Sequence, residues 1–376
     1  MNATLQFLAA PSVAARLLVC ACFGVGVSGC ATADDLKAGQ QVVFSPSLAS
    51  AANGAWSMRV QGRVFVPAED SATRRELIKM LAQHVFADPK DLLYLSRAGA
   101  FVSDSIHEAR VSIAIGDRVV ALNPSDASGC FSADIALGHD EVALLARDGV
   151  VAFESLATAR QSSRFRGTAK LLAPEGVIVV TDIDDTIKET NIRDPAEAKK
   201  NTFVLPFQPV AGMPELYRAW QQAGGAQLHF HVVSAGPWQF HELLRRFTEE
   251  ARFPEFSWDM RCVDIGNLEV LVKEIVIANQ ERLQDFKIKT IRALMTRFPQ
   301  RHVVLVGDSG ERDPEVYAAI VKELGDRVDA VYIRRVRNDG RLSTCCDDLF
   351  RPLNALAKLQ VFEQPAELPQ RLGVAR

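Results

Sequence analysis

From about residue 166 to the end, short apolar runs alternate with amphipathic stretches, and this restricts the fold to a parallel sheet layered with helices. The runs are Gly176–Thr181, Leu228–Val233, Val303–Val306, Val328–Ile333 and Leu359–Phe362. Strands covered on both faces read as continuous apolar segments. Between them, Met213–Gln222, Trp238–Thr248 and Ile288–Phe298 carry helical periodicity, and Asp313-Pro314 opens a helix running to about Leu324. The expected class is α/β: a parallel sheet of five strands with helices on both faces.

Residues 38–165 follow a different pattern. Met58, Val60, Gly62, Val64 and Val66 alternate within Trp56–Val66, Val111–Ile115 and Phe131–Leu137 read as further strands, and one helix spans Ser71–Val85. This segment is expected to be a smaller, mostly β, sandwich-like domain without catalytic residues, ahead of a catalytic domain over 166–376. Residues 1–30 are expected to be a leader: Arg16 precedes the apolar run Leu17–Phe23, too short for a comfortable membrane span. Gly24-x-Gly26-x-x-Gly29 fits a dinucleotide-binding pattern, but neither strand nor helix frames it, so it is set aside. Val27-Ser28-Gly29-Cys30 resembles a bacterial lipobox, which implies lipidation of Cys30 and a periplasm-facing envelope lipoprotein, with Ala31 favouring the outer membrane. Such a compartment permits disulfides among Cys130, Cys262, Cys345 and Cys346; unpaired packing, or one bridge involving the 345–346 region, is the expectation. The net charge of −3 argues against nucleic-acid binding through a basic surface.

Ligands of an open α/β sheet gather at the carboxyl ends of its strands. Here those ends carry Asp182-Ile183-Asp184-Asp185-Thr186, then Ser234, then Gly307-Asp308-Ser309 with Asp313 beyond, and Lys287 lies between the last two at a helix start. A carboxylate can attack phosphorus and a second can protonate the leaving oxygen. Converging carboxylates call for a cation, and Mg²⁺ is the one expected. Lys287 and the Ser234 hydroxyl would offset charge on the phosphoryl oxygens. Two positions have ordinary alternatives: Asp313 before Pro314 is a natural helix cap, and Lys289 competes with Lys287. His229, His231 and His241 are expected to be buried and hydrogen-bonded rather than metal ligands.

The ordered set Asp182-x-Asp184-x-Thr186, Ser234, Lys287 and Gly307-Asp308-Ser309-x-x-x-Asp313 resembles the four motifs of haloacid dehalogenase-type phosphatases. More closely, Asp182–Lys188, Asn201–Phe203, Pro209–Tyr217, Ser234–Gln239 and Gly307–Tyr317 resemble the catalytic domain of actin-patch-associated phosphatidate phosphatases. The resemblance implies a Rossmann-like sheet and a phospho-aspartyl intermediate on Asp182. Asp184 would be acid and then base. The Asp182 carboxylate, the Asp184 backbone carbonyl, Asp308 and Asp313 would hold Mg²⁺, Ser234 and Lys287 the phosphoryl group, and Thr186 would orient the first loop. Segments 187–210 and 236–286 are too short for a large cap, which suits a phospholipid headgroup; Phe207, Trp238 and Phe240 are candidate membrane contacts, with core packing an equal reading for Trp238. The expected reaction is hydrolysis of phosphatidate to diacylglycerol and phosphate. A periplasmic phosphatase for soluble organic phosphates and a non-catalytic envelope scaffold are the rival readings.

Overall fold

The computed structural model describes residues 34–372 except 53, 69–70, 267–269, 271–279, 338–339 and 341–345. The expected leader, Cys30 and Cys345 lie outside the described residues. Ala33–Arg376 forms one compact unit. No helix among the described residues is long and apolar enough to cross a membrane.

The first part forms a nine-stranded sheet: β1 (Gln41–Phe44), β2 (Ser47–Ala52), β3 (Ala55–Val66), β4 (Asp104–Ser105), β5 (Ser112–Ile115), β6 (Arg118–Ala121), β7 (Cys130–Gly138), β8 (Val150–Ser155) and β9 (Arg166–Leu172). The order is β1-β3-β2-β9-β8-β5-β6, with β4 and β7 also paired to β3. Where a sandwich was expected, hydrogen bonds link all nine strands. Val42, Val60, Ile113, Ile135 and Phe153 share one core, so the sheet coils around its own apolar face. The last strand, β9, pairs with β8 and β2. The change of sheet therefore falls beyond Leu172, a few residues past the expected 166.

Two helices interrupt this sheet and leave it. Helix α1 (Ala72–Val85) starts at Ser71, whose side chain accepts from the Arg74 N–H, and α2 (Leu92–Phe101) at Asp91, which accepts from the Tyr94 N–H. Their apolar sides, Leu77, Ile78, Leu81, Ala98 and Phe101, join the core of the second sheet rather than the first.

That second sheet is parallel, in the order β12-β11-β10-β13-β14-β15: β10 (Gly176–Thr181), β11 (Leu228–Pro237), β12 (Phe256–Arg261), β13 (Arg301–Asp308), β14 (Val328–Arg334) and β15 (Leu359–Phe362). Helices α3 (Pro195–Phe203), α4 (Met213–Gly224), α5 (His241–Glu250), α6 (Gln280–Arg297) and α7 (Asp313–Leu324) connect them. Val177, Val179, Phe230 and Val232 face Leu216 and Trp220 of α4 and Leu244 of α5. Ile178, Val180, Val303 and Leu305 face Ile291 and Met295 of α6 and Ile320 of α7. Both faces are covered, as the continuous apolar strands require.

The sixth strand, β12, escaped the pattern because Ser257 and Asp259 alternate with its apolar residues. Those polar side chains meet His231, whose Nδ1 lies 2.7 Å from Ser257 Oγ and whose Nε2 lies 3.1 Å from Asp259 Oδ2. The first sheet docks alongside. Gln61 Nε2 donates to the Trp258 carbonyl at 2.6 Å, and Arg297 reaches Asp134 at 2.6 Å. A Cys130–Cys262 disulfide joins β7 to the residue after β12. Unpaired packing is thus corrected for Cys130 and Cys262, two cysteines 132 positions apart that sheet docking brings together. Cys346 is disulfide-bonded as well, which agrees with the alternative of a bridge in the 345–346 region.

Candidate active site

The first loop is held on every side. After β10, the Asp182 N–H still donates to the Val306 carbonyl at 3.0 Å. The chain then turns through Asp185 in the left-handed region (φ 55°). The Asp185 carboxylate accepts from the N–H groups of Thr190 (2.8 Å), Asn191 (2.7 Å) and Ile192 (2.6 Å). Arg334, at the end of β14, donates to the Asp185 carbonyl at 2.7 Å and pairs with Glu189 at 3.0 Å. Thr186 is buried in this turn and its hydroxyl has no hydrogen-bond partner.

Register places the rest. Thr181 pairs with Val232 on one side and Val306 on the other. Ser234 and Asp308 each stand two residues past those partners, flanking the turn that carries Asp182. The buried Ser234 hydroxyl accepts from the Gly236 N–H at 3.1 Å. Asp308 Oδ1 accepts from the Gly310 N–H (2.6 Å) and the Glu311 N–H (3.0 Å).

Lys287 enters from α6, whereas Lys289 lines a different cleft. The Lys287 Nζ lies 2.8 Å from Asp182 Oδ1, 2.6 Å from Asp313 Oδ1 and 3.5 Å from Glu311 Oε2. Asp313 is the first residue of α7, but its carboxylate does more than end a helix. It accepts from the Asp308 N–H at 3.2 Å and takes Lys287. Gly307 makes this possible, since a Cβ there would stand 2.3 Å from Asp313 Oδ2.

Carboxylate oxygens of Asp182, Asp308 and Asp313, all buried, lie within 4.8 Å of one another. Asp182 Oδ2 and Asp308 Oδ2 have no hydrogen-bond partner. Burial pushes the Asp182 carboxyl well above the usual range; Lys287 opposes this, and Asp313 and Glu311 add to it. Burial also raises Asp308, reinforced by Asp313 and Glu311. Burial alone would lower Lys287, but Asp182, Asp313 and Glu311 outweigh it and hold the ammonium well above its ordinary value. One lysine cannot neutralise four acidic side chains, and a buried unpaired carboxylate is costly. Asp182, Asp308 and Asp313 therefore form a group that can hold a metal ion, and an all-oxygen donor set suits a hard divalent one.

Asp184 lies apart from this triad and is partly exposed. Its Oδ1 takes Lys188 Nζ at 2.8 Å and the Thr190 hydroxyl at 2.5 Å, and Lys188 also donates to Thr190. Burial would raise this carboxyl, but the Lys188 pair and the two hydrogen bonds prevail and hold it below its ordinary value.

Lys188, Thr190, Glu311 and Arg334 were given no role from sequence. Lys188 and Glu311 do fall inside the quoted motifs, and that proximity was the available signal. Arg97, from α2, had none. It is buried, donates to the carbonyls of Thr202 (3.0 Å) and Leu205 (2.6 Å), and lies 3.7 Å above the Phe207 ring. Lys188 Nζ is 5.2 Å from the same ring. The β-rich part thus builds one wall of the site. The candidate membrane contacts are corrected accordingly. Trp238 is buried against His241, Phe240 stacks on Phe101 at 5.3 Å, and Phe207 lies beneath Arg97. His229 and His231 are buried and hydrogen-bonded through Ser257, as expected, whereas His241 is buried without a hydrogen bond and has Glu242 at 3.3 Å. A cavity of 780 Å³ between the two sheets touches none of the acidic cluster.

Residues 177–335 match the family model described as "Phosphatidate phosphatase APP1, catalytic domain". Phosphatidate phosphatase APP1 of Saccharomyces cerevisiae is 29% identical over 196 residues, covering 51% of this chain and 32% of that protein. An uncharacterized protein of Schizosaccharomyces pombe is 28% identical over 172 residues, covering 45% of this chain and 27% of its own. The chain thus spans about a third or less of the relatives it matches. A solved carbohydrate esterase structure aligns over 85% of this chain and 97% of its own at 11% identity, but its TM-score of 0.22 carries no argument. The segment holding Asp182, Ser234, Lys287, Asp308 and Asp313 resembles that phosphatidate phosphatase catalytic domain.

Proposed function

We propose that this chain is a phosphatase that hydrolyses a phosphomonoester through Asp182, with phosphatidate as substrate and diacylglycerol and phosphate as products. The observation that carries the reading is the convergence of Asp182, Asp308, Asp313 and Lys287 on one buried point, with two carboxylate oxygens unpartnered. Mg²⁺ would be held there by the three carboxylates together with the Asp184 backbone carbonyl. When bound, it supplies positive charge against the phosphoryl oxygens.

The remaining steps belong to the chain's own residues. An oxygen of the Asp182 carboxylate attacks phosphorus, the ester P–O bond breaks, and the leaving oxygen takes a proton from Asp184. Water then adds to the phospho-aspartate and gives a proton back to Asp184. The bond from phosphorus to the Asp182 oxygen breaks, releasing phosphate. Lys287 and Ser234 hold the phosphoryl oxygens, and Lys287 favours the ionised form of Asp182 against the burial that raises it. In the free protein Lys188 and Thr190 favour the charged, basic form of Asp184. A phosphoryl group competing for Lys188 would weaken that grip and let Asp184 carry the proton needed first.

Support for a lipid substrate comes from the family match and the name of the yeast relative. The Cys130–Cys262 disulfide supports the proposal that the protein is exported, with Cys30 as its lipid anchor in a periplasm-facing envelope. Phosphate release from phosphatidate micelles and from p-nitrophenyl phosphate, with Mg²⁺ or EDTA, tests the reading beside Asp182→Asn. Mg²⁺-dependent release from phosphatidate, lost in the variant, is expected. Release from the soluble ester alone would move the substrate to soluble phosphates, and release from neither would leave an envelope scaffold.

A further inference from the structure

We propose that the connection between α1 and α2 is a membrane-docking element, in which Phe86 and Leu92 enter the surface of a phospholipid bilayer beside the site. The proposal deepens the reading above and rests on it for the choice of a lipid surface.

Phe86 and Leu92 are the most exposed large apolar residues among those described, at 85% and 82%. Six residues apart, they frame one connection. Phe86 closes α1 in the left-handed conformation, at φ 56°. Glycine or asparagine usually takes that place, and a bulky ring there, turned to solvent, adds nothing to folding. Strain combined with exposure points to use by something outside the fold.

The surroundings suit a lipid surface. Both acidic side chains of the connection turn back onto backbone: Asp88 accepts from the Lys90 N–H at 2.9 Å and Asp91 from the Tyr94 N–H at 2.8 Å. What the tip presents outward is Phe86 and Leu92, with Asp88, Pro89, Lys90 and Asp91 exposed between them. An aromatic ring, an aliphatic side chain and an ammonium form the combination that settles at a headgroup boundary. Below the tip the hairpin is firmly seated, with Tyr94, Ala98 and Phe101 buried.

Position ties the tip to the site. Helix α2 packs on α3 and on Trp238–Phe240, which follow the carboxyl ends of β10 and β11. Phe101 meets Phe203 at 5.5 Å and Phe240 at 5.3 Å. Phe101, at the end of α2 away from the tip, therefore stands on the side of the sheet where Asp182 and Asp184 lie. Arg97 carries the connection onward to Leu205, which is 39% exposed, and to Phe207 beside Lys188. A soluble phosphomonoester needs no apolar rim, whereas a diacyl phosphate stays in its bilayer.

The test uses the unit from Ala33 onward, which lacks Cys30, so that vesicle binding reports on the tip. Wild type and the Phe86→Asn/Leu92→Gln double variant are sedimented with vesicles of phosphatidylcholine and phosphatidylglycerol. They are then assayed on p-nitrophenyl phosphate and on phosphatidate in vesicles or detergent micelles. The variant is expected to lose about tenfold or more in vesicle partition. Its vesicle-phosphatidate turnover should fall in step, with p-nitrophenyl phosphate hydrolysis unchanged. Equal partition of both proteins would overturn the proposal, even if micellar phosphatidate is hydrolysed and the substrate reading stands. Self-association of the wild type that the variant loses would overturn it too, making the tip a protein interface. Vesicle binding lost in the variant, with phosphatidate untouched by either protein, would keep the docking surface and sink the substrate.

Discussion

Replacing Lys287 by methionine probes the charge balance of the site most directly. Its ammonium is buried and lies 2.8 Å from Asp182, 2.6 Å from Asp313 and 3.5 Å from Glu311. Methionine fills similar space with no charge, so the buried carboxylates lose the ammonium that faces them. Breaking a buried pair from one side costs roughly 3–5 kcal/mol. Burial already raises Asp182, Asp308 and Glu311. Without Lys287 they rise further, so the folded variant binds more protons than the unfolded chain. A carboxyl raised on folding loses stability as pH climbs through and above its ordinary value near 3.8. The melting deficit of Lys287→Met should therefore widen from pH 5 to pH 8, and divalent cation should narrow it. Turnover should fall by about 10²–10³, the scale for removing one charge-stabilising donor. Calorimetric melting across pH, with and without Mg²⁺, and phosphate release are the measurements. A variant that melts with wild type at every pH and keeps turnover within about tenfold would refute the assignment.

Three further outcomes are expected. Lys188→Met removes the main charge holding Asp184 down, so the limb of the pH–rate profile that follows Asp184 should move to higher pH; an unmoved profile would separate Lys188 from the acid–base step. Arg97→Ala deletes two hydrogen bonds from a buried guanidinium and its contact with Phe207, and should cost about 2–4 kcal/mol in denaturant melts and lower turnover. Cys130→Ser opens the link between the sheets and should cost about 2–5 kcal/mol in the same melts, with wild-type protein losing at least as much on reduction, which also opens the disulfide at Cys346.

Arg97 also bears on where one part of the protein ends. A fragment starting at residue 166 keeps every residue of the acidic cluster, yet it leaves behind Arg97, Phe101 and the α1–α2 face that completes the second core. The break in sequence pattern at 166 marks a change of local structure, and the tertiary packing ignores it.

Much of the site was legible because its residues sit where one parallel sheet must gather them. Asp182, Ser234 and Asp308 each follow an apolar strand, and parallel strands put all such ends on one side. Their identity as a set therefore needed no knowledge of strand order. The sequence likewise determined helices on both faces, since runs such as Gly176–Thr181 cannot tolerate solvent on either. Other features depended on pairs far apart in the chain. The pairing of Lys287 with Asp313 and Glu311 and the grip of Arg334 on the first loop have no local signature. Nor do the Cys130–Cys262 bridge, strand β12 among its polar partners, or the seating of α1 and α2 on the second sheet rather than their own. Periodicity records which face of an element is buried, and it is silent on what buries it. Only the folded chain brought the particular counter-charge, cysteine or ring into contact.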